Sequence, residues 1–453
     1  AASDVYKRQV YDCDIFKYCL YVFYRRERIM TNNITKTDTL VIGAGQAGIA
    51  MSEHLGNLHI DHIVLEKNRI AEAWRSRRWD SLVANGPCWH DKFPNMDFPH
   101  NPETFVSHNE VADYFESYAK KIKAPIRTGI EVLKVEKIPS NMGFNVHTTQ
   151  GDFIANNIVI ATGPFQKPVI PPIAPNWKDL YQIHSDQYKN PEQLPEGNVL
   201  VIGAGSSGVQ IAKELNSFGK KVFLSVGPHE RPPRRYRQRD NVWWLGVLGT
   251  WQESTPPQRP IKGFAVSGMN GGETVDFRKL AHDGITLVGM TDKFEDNKVY
   301  FHNDLVDNVT SAEENYLATL EAMDKYIEAN GLDLPEEPEA KVFLPIPDSI
   351  SNPITDLDFD KDNITSVIWA SGFGFDYHWL NFDIFQENGA PKHNKGITDE
   401  PGIYFVGLPY LSSKGSSFIW GVWHDAKRIA DYIDIQHQYL SLIHISEPTR
   451  RYA

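Results

Sequence analysis

Thr39-Leu40-Val41-Ile42-Gly43-Ala44-Gly45-Gln46-Ala47-Gly48 decides the fold. The four residues Thr39 to Ile42 are apolar or β-branched and read as a buried parallel strand. The strand runs straight into a Gly-x-Gly-x-x-Gly turn. Ile49 to Leu58 then reads as a helix, and His62 to Leu65 as a second strand ending in Glu66. Each glycine has a separate task. Gly43 permits a tight turn, Gly45 leaves room for backbone to approach a pyrophosphate, and Gly48 lets helix and strand pack closely. The helix N-terminus offers free N–H groups and a partial positive charge to phosphates. Glu66 stands where an acid accepts hydrogen bonds from a ribose hydroxyl. The turn alone is weak evidence. Strand, helix, second strand and acid at the expected distance make it a dinucleotide-binding unit.

The same grammar returns 160 residues later. Asn198 to Ile202 precedes Gly203-Ala204-Gly205-Ser206-Ser207-Gly208, a helix follows over Val209 to Leu215, and Lys221 to Leu224 is the next strand. This strand ends at Ser225 rather than an acid, with Arg231, Arg234, Arg235, Arg237 and Arg239 downstream. A carboxylate there would repel a 2′-phosphate. Its absence beside arginines favours NADPH over NADH, with Arg234 and Arg235 as the expected phosphate contacts. Two dinucleotide units imply two nucleotides, and hydride transfer from a nicotinamide to a flavin is the natural chemistry of such a pair.

Composition sets outer limits. The chain has 453 residues, 41% hydrophobic and 23% charged, which suits a globular protein of two or three domains. A net charge of -12 argues against nucleic acid or an anionic membrane as partner. The three cysteines, Cys13, Cys19 and Cys88, form no disulfide framework or metal-binding spacing, so a cytoplasmic location is the default. No apolar run is long enough for a membrane span. The first 36 residues read as a non-native or disordered extension, and 441–453 as a non-native tail.

At this point the chain resembles the class B flavin-dependent monooxygenases, over most of Thr39 to Ile433. Ala73-Trp74-Arg75 is similar to that family's Gly-Gly-x-Trp-Arg segment near the flavin, with Ala71-Glu72 where the glycines are usual. Ser81 to Pro87 resembles its Leu-x-x-Asn-x-Pro stretch; the resemblance implies that Asn85 is the catalytic asparagine over the flavin. Ala161-Thr162-Gly163 and Ala370-Ser371-Gly372-Phe373 resemble the crossings between the two nucleotide domains, and Gly402 to Gly407 the last flavin-domain strand, whose glycine passes close to the flavin. The family fingerprint is imperfect: Lys178 and Leu180 replace its first aromatic residue and glycine, while His184 and Tyr188 match. His184 reads as a structural linker residue.

The implied architecture is α/β, with two Rossmann-like domains: an FAD-binding domain over 37–163 and 363–440, and an inserted NADPH-binding domain over 164–362. The proline-rich stretches at Pro168 to Pro175 and Pro335 to Pro353 support breaks near those limits. Within the insert, Tyr316, Leu320, Met323 and Ile327 mark a packing face on a helix stopped by Gly331. A last helix begins near Ser416, with Val422, Ala426, Ile429 and Ile433 as its inner stripe. The aromatic clusters Trp243-Trp244-Trp251, Phe373-Phe375-Tyr377-Trp379 and Phe418-Trp420-Trp423 read equally as a substrate channel, as core, or as a homodimer interface.

The resemblance implies NADPH- and dioxygen-dependent oxygenation of a soft nitrogen or sulfur nucleophile through a C4a-(hydro)peroxyflavin. Baeyer–Villiger oxidation of ketones is one alternative. A non-catalytic flavoprotein that senses nucleotides is another. A disulfide reductase would share the double fold but needs a redox cysteine pair, and Ser52 to Leu58 contains no cysteine.

Overall fold

In the computed structural model, described over residues 34–139, 143–254 and 263–445, one mixed and one parallel sheet carry the two glycine turns. The first strand, Thr35–Ile42, lies between His62–Glu66 and Gly151–Ile160, all parallel. Ile126–Thr128 extends one side and Ile403–Phe405 the other. The ten-residue strand Gly151–Ile160 serves two assemblies. Its second half pairs in parallel with Ile403–Phe405, and its first half forms an antiparallel meander with Phe144–Thr148, which pairs Val132–Lys137. Leu40, Val41, Ile158 and Val159 are fully buried, as a sheet covered on both faces requires.

The second sheet has the order Thr286–Val288, Val222–Ser225, Asn198–Ile202, Ile364–Trp369, Tyr181–His184, parallel throughout. This corrects the expected boundary at 363. Val367, Ile368 and Trp369 are fully buried next to Leu200 and Val201, so Ile364–Trp369 belongs to the inserted unit. The Pro335–Pro353 stretch also lies inside that unit: Ile350 is fully buried in its core, and the strand Asp356–Asp358 that follows pairs with Lys298–Phe301. The chain returns to the first unit after Trp369. There Phe373–Gly374 pairs with Lys167–Pro168, tying the outgoing and returning linkers together.

The helix marked by Tyr316 spans Leu305–Asn330 and ends at Gly331, in the left-handed conformation at φ 60°. Its expected face packs against Tyr236 and Trp244, with Trp243 partly buried beside them, so two of the three tryptophans of that cluster are core. Phe375, Tyr377 and Trp379 likewise join the core under the first sheet. The C-terminal helix, Ile419–Ile445, is continuous through position 440; its expected inner stripe is fully buried against the first glycine helix, Gln46–Asn57. Positions 1–33 and 446–453, with Cys13 and Cys19, lie outside the described residues. Among the described residues no helix is long and apolar enough to cross a membrane, and no three metal-ligating side chains converge.

Candidate active site

The glycines divide by what demands them. Gly43 and Gly203 have φ of 107° and 116°, the region that favours glycine. A Cβ on Gly48 would stand 1.8 Å from the Gly43 carbonyl oxygen, and one on Gly208 1.8 Å from that of Gly203. Packing therefore requires the outer glycines of both turns. Gly45 is different: a Cβ there would meet no protein atom within 4 Å, and at Gly205 the first would lie 3.9 Å away. Nothing in the protein needs these two to be glycine, whereas a pyrophosphate on the turn would. Both helices that follow also lack a side-chain cap, although Ser107, Asp240 and Asp276 cap three others. Two turns with uncapped N–H groups and space above the middle glycine fit two dinucleotides.

Glu66 lies beside the first turn. Its carboxylate accepts the N–H of Ala44 and of Asn68, each at 2.9 Å. Ser225, at the corresponding place in the second unit, is buried, donates to the Gly289 carbonyl at 3.0 Å and accepts the Thr291 N–H at 3.1 Å. The second acceptor strand thus ends in a neutral, internally bonded hydroxyl.

Trp74 lies on the short helix Glu72–Ser76 and donates to Gln46 Oε1 at 3.3 Å. Gln46 in turn donates to the Ser417 carbonyl at 2.9 Å, joining the first glycine helix to the turn before the C-terminal helix. Ala71 takes a left-handed φ of 57°, a conformation that glycine adopts more readily than alanine. Gly407 has φ 80°, and a Cβ on it would come within 2.7 Å of Ala47 Cβ. Its lack of a side chain lets the last strand reach the first glycine helix.

Asn85 occupies the seam between the two units. Its Oδ1 accepts from Gln210 Nε2 at 3.1 Å, and its backbone carbonyl accepts from Arg234 Nη1 at 2.6 Å. Gln210 sits on the second glycine helix, Ser206–Ser217, and is 1% exposed. Arg234 is equally buried, and Asp240 holds its guanidinium through both Nε and Nη2. These bonds compete with the phosphate contact expected of Arg234. Its charge is already neutralised and its fork is aimed at protein, so it braces Asn85. Arg235 is half-buried and donates to the carbonyls of Gly271 and Gly272. Sequence reasoning missed Gln210 and Asp240. The signal for Gln210 was available: a lone amide inside Val209-Gln210-Ile211-Ala212, one turn beyond Ser206.

His184 is 1% exposed, with Nδ1 2.9 Å from Asp186 and Nε2 2.9 Å from the Gly372 carbonyl. It ties the start of the insert to the returning linker. Tyr188 is fully buried and donates to Glu214; burial, then that carboxylate, pushes its pKa up. Gly163 has φ 71°, and its carbonyl accepts from Gln166 in the outgoing linker. The third aromatic cluster divides. Trp251, Phe418 and Trp420 come together with Trp89 and His90, at ring separations of 4.9 to 5.8 Å, where the loop after Asn85 meets the C-terminal helix. Rings this close touch one another and form a wall. A cavity of about 490 Å³ opens between the units, lined by Val83, Glu103 and Phe105 of the first and Gly268 and Asn270 of the second.

Two dinucleotide-binding units facing one seam fit an oxidoreductase that uses two nucleotides. Residues 40–240 match the family model described as pyridine nucleotide-disulphide oxidoreductase. The chain is 33% identical over 401 residues to the uncharacterized oxidoreductase CzcO-like of Geobacillus kaustophilus, covering 87% of this chain and 98% of that one. It is 30% identical over 409 residues to the probable indole-3-pyruvate monooxygenase YUCCA4 of Arabidopsis thaliana, covering 88% and 90%. The fold is also that of a flavin-containing monooxygenase from Stenotrophomonas maltophilia, with TM-score 0.62 at 17% identity over 89% of this chain and 99% of that one. The chain belongs to the flavin monooxygenase family that includes the CzcO-like and YUCCA proteins, an oxidoreductase family that uses FAD and NADPH.

Proposed function

We propose that the protein is an NADPH- and dioxygen-dependent monooxygenase that places one oxygen atom on a nucleophilic nitrogen or sulfur of a small organic substrate. The observation that carries this reading is Asn85. An amide at the seam of the two units, bonded by Gln210 through its side-chain oxygen on a backbone that Arg234 holds at the carbonyl, is a fixed dipole that needs no reorganisation to act. In this reading the first turn, Gly43 to Gly48, and Glu66 hold FAD; the second, Gly203 to Gly208, holds NADPH. Trp74, Gly163 and Gly407 border the flavin. Bound FAD would take hydride from bound NADPH and activate dioxygen. The protein contributes orientation, a hydrogen bond from Asn85, and a seam closed by the packed rings of His90, Trp251 and Trp420. The single described cysteine, Cys88, has no sulfur partner, which supports oxygenation over disulfide reduction. The reading places the protein in the cytoplasm, since its three cysteines form no secretory framework.

The test offers the purified flavoprotein NADPH, air and one of three probes: a thioether, a tertiary amine or a ketone. The expected products are the sulfoxide and the N-oxide. An ester from the ketone, with the other two probes untouched, replaces this reading by Baeyer–Villiger oxidation. NADPH consumption that yields hydrogen peroxide alone with every probe overturns it.

A further inference from the structure

We propose that Gln210 fixes which end of the Asn85 amide faces a ligand, making Asn85 a hydrogen-bond donor and coupling it to the second nucleotide turn. The inference rests on the monooxygenase reading for its activity test, and on geometry alone for its structural test.

The Val266 carbonyl sets the direction of the chain. A backbone carbonyl can only accept, and Gln210 Nε2 donates to the Val266 carbonyl at 2.8 Å. That bond fixes the Gln210 amide with its NH2 group toward Val266. The second N–H of the same nitrogen then reaches Asn85 at 3.1 Å. Two NH2 groups cannot face each other, so Asn85 turns Oδ1 to Gln210 and leaves Nδ2, a donor, for a ligand. A ligand group at this place is therefore an acceptor: a carbonyl, an amide oxygen or an oxyanion.

Gln210 is not free to swing. It is 1% exposed, on a helix whose first residue is bonded to the same segment: Ser206 Oγ donates to the Phe264 carbonyl at 2.6 Å and accepts the Val266 N–H at 3.2 Å. Ser206 and Gln210 stand one helical turn apart, about 6 Å along the axis. Ser206 directly follows Gly205, the open glycine of the second turn. A nucleotide seated on that turn thus touches the clamp that orients Asn85. Gln210 Oε1 is buried without a hydrogen-bond partner among the described residues. An orphaned buried acceptor is destabilising, a cost that a residue serving only as filler would not incur. Gln210 is a positioning residue; Asn85 is the group that meets the ligand.

Gln210→Glu is the decisive variant. A carboxylate cannot donate to Val266 or to Asn85, so it reverses the sense of the chain at nearly constant shape. The expected results are a fall of about tenfold or more in product formed per NADPH consumed, with hydrogen peroxide making up the difference, and a KM for NADPH changed far less than kcat. Adding Asn85→Ala to Gln210→Glu should cost nothing further, because both changes remove one interaction. If Gln210→Glu does not retain flavin, Gln210→Met carries the same test, since it too lacks the donor. Independently of activity, atomic-resolution structures should show Asn85 Oδ1 toward Gln210 in the parent and Nδ2 turned toward the carboxylate in the variant. Unchanged coupling in the folded variant, or additive losses in the double variant, overturns the proposal. A parent protein that forms no oxygenated product defeats the monooxygenase reading instead, and the Asn85 orientation in the two structures then decides the proposal alone.

Discussion

The carboxylate of Glu66 accepts the backbone N–H of Ala44 at 2.9 Å, so the end of the second strand is bonded to the first glycine turn. A second bond, from Asn68, holds the other oxygen. The acid is thereby aimed before any nucleotide arrives. Glu66→Gln keeps an acceptor for Ala44 but loses the charge. FAD affinity, followed by flavin fluorescence, should weaken by about tenfold, while the melting temperature of the apoprotein moves little. An unchanged FAD affinity would remove Glu66 from the ribose site.

The middle and outer glycines should respond oppositely to one added methyl group. Gly48→Ala and Gly208→Ala drive Cβ into a carbonyl oxygen and should cost about 3 kcal/mol or more, read from chemical denaturation. Gly45→Ala has open space and an N-cap φ of -82° that alanine accepts, so its fold should lose no more than about 1 kcal/mol. Its flavin content should nevertheless collapse. Equal stability losses at Gly45 and Gly48 would contradict the assignment of the open space to a ligand.

The Arg234–Asp240 pair is buried and bidentate, and Asp240 also caps the helix Asn241–Val247 through the Val242 N–H. Asp240→Ala strands a buried guanidinium and uncaps a helix, so it should destabilise by about 3–5 kcal/mol. Arg234→Met removes the brace on Asn85 but no phosphate contact. Its ratio of NADPH to NADH efficiency should stay within about threefold of the parent. A large drop toward NADH would return Arg234 to the 2′-phosphate.

Cys88 is buried, and its pKa is pushed up to about 11 by burial first and then by the nearby Asp91 and Glu110 charges. A raised thiol pKa means the folded state holds the proton more tightly than the unfolded one. The resulting stability is fully present below the unfolded thiol pKa and is lost as pH climbs through about 11. At neutral pH the thiol should resist iodoacetamide in the native protein and react on unfolding, as read by mass spectrometry of the Cys88 peptide. Rapid native alkylation would contradict this.

Most of the architecture was legible because both glycine units combine a local turn with buried strands, and local signals survive in sequence. Gly43 and Gly48 announce themselves by sterics alone. The return crossing was harder. Ile364–Trp369 looks the same whichever sheet it joins, and only pairing with Asn198–Ile202 and Tyr181–His184 assigns it to the insert. The arginine cluster was harder to read for a related reason. Sequence shows a charge but not its partner, and Asp240 lies only six residues from the arginine it neutralises. Gln210 and Asn85 are 125 positions apart, so their contact exists only once the two units meet.

The central claim, that two nucleotides serve one oxygenation at the Asn85 seam, is tested most directly by isotope. The flavoprotein is reduced with NADPH without oxygen, then mixed with isotope-labelled dioxygen and a thioether. The account predicts that the flavin band bleaches on NADPH addition and that the sulfoxide carries one labelled oxygen atom. A flavin that NADPH fails to reduce, or label that appears only in hydrogen peroxide and water, would contradict it.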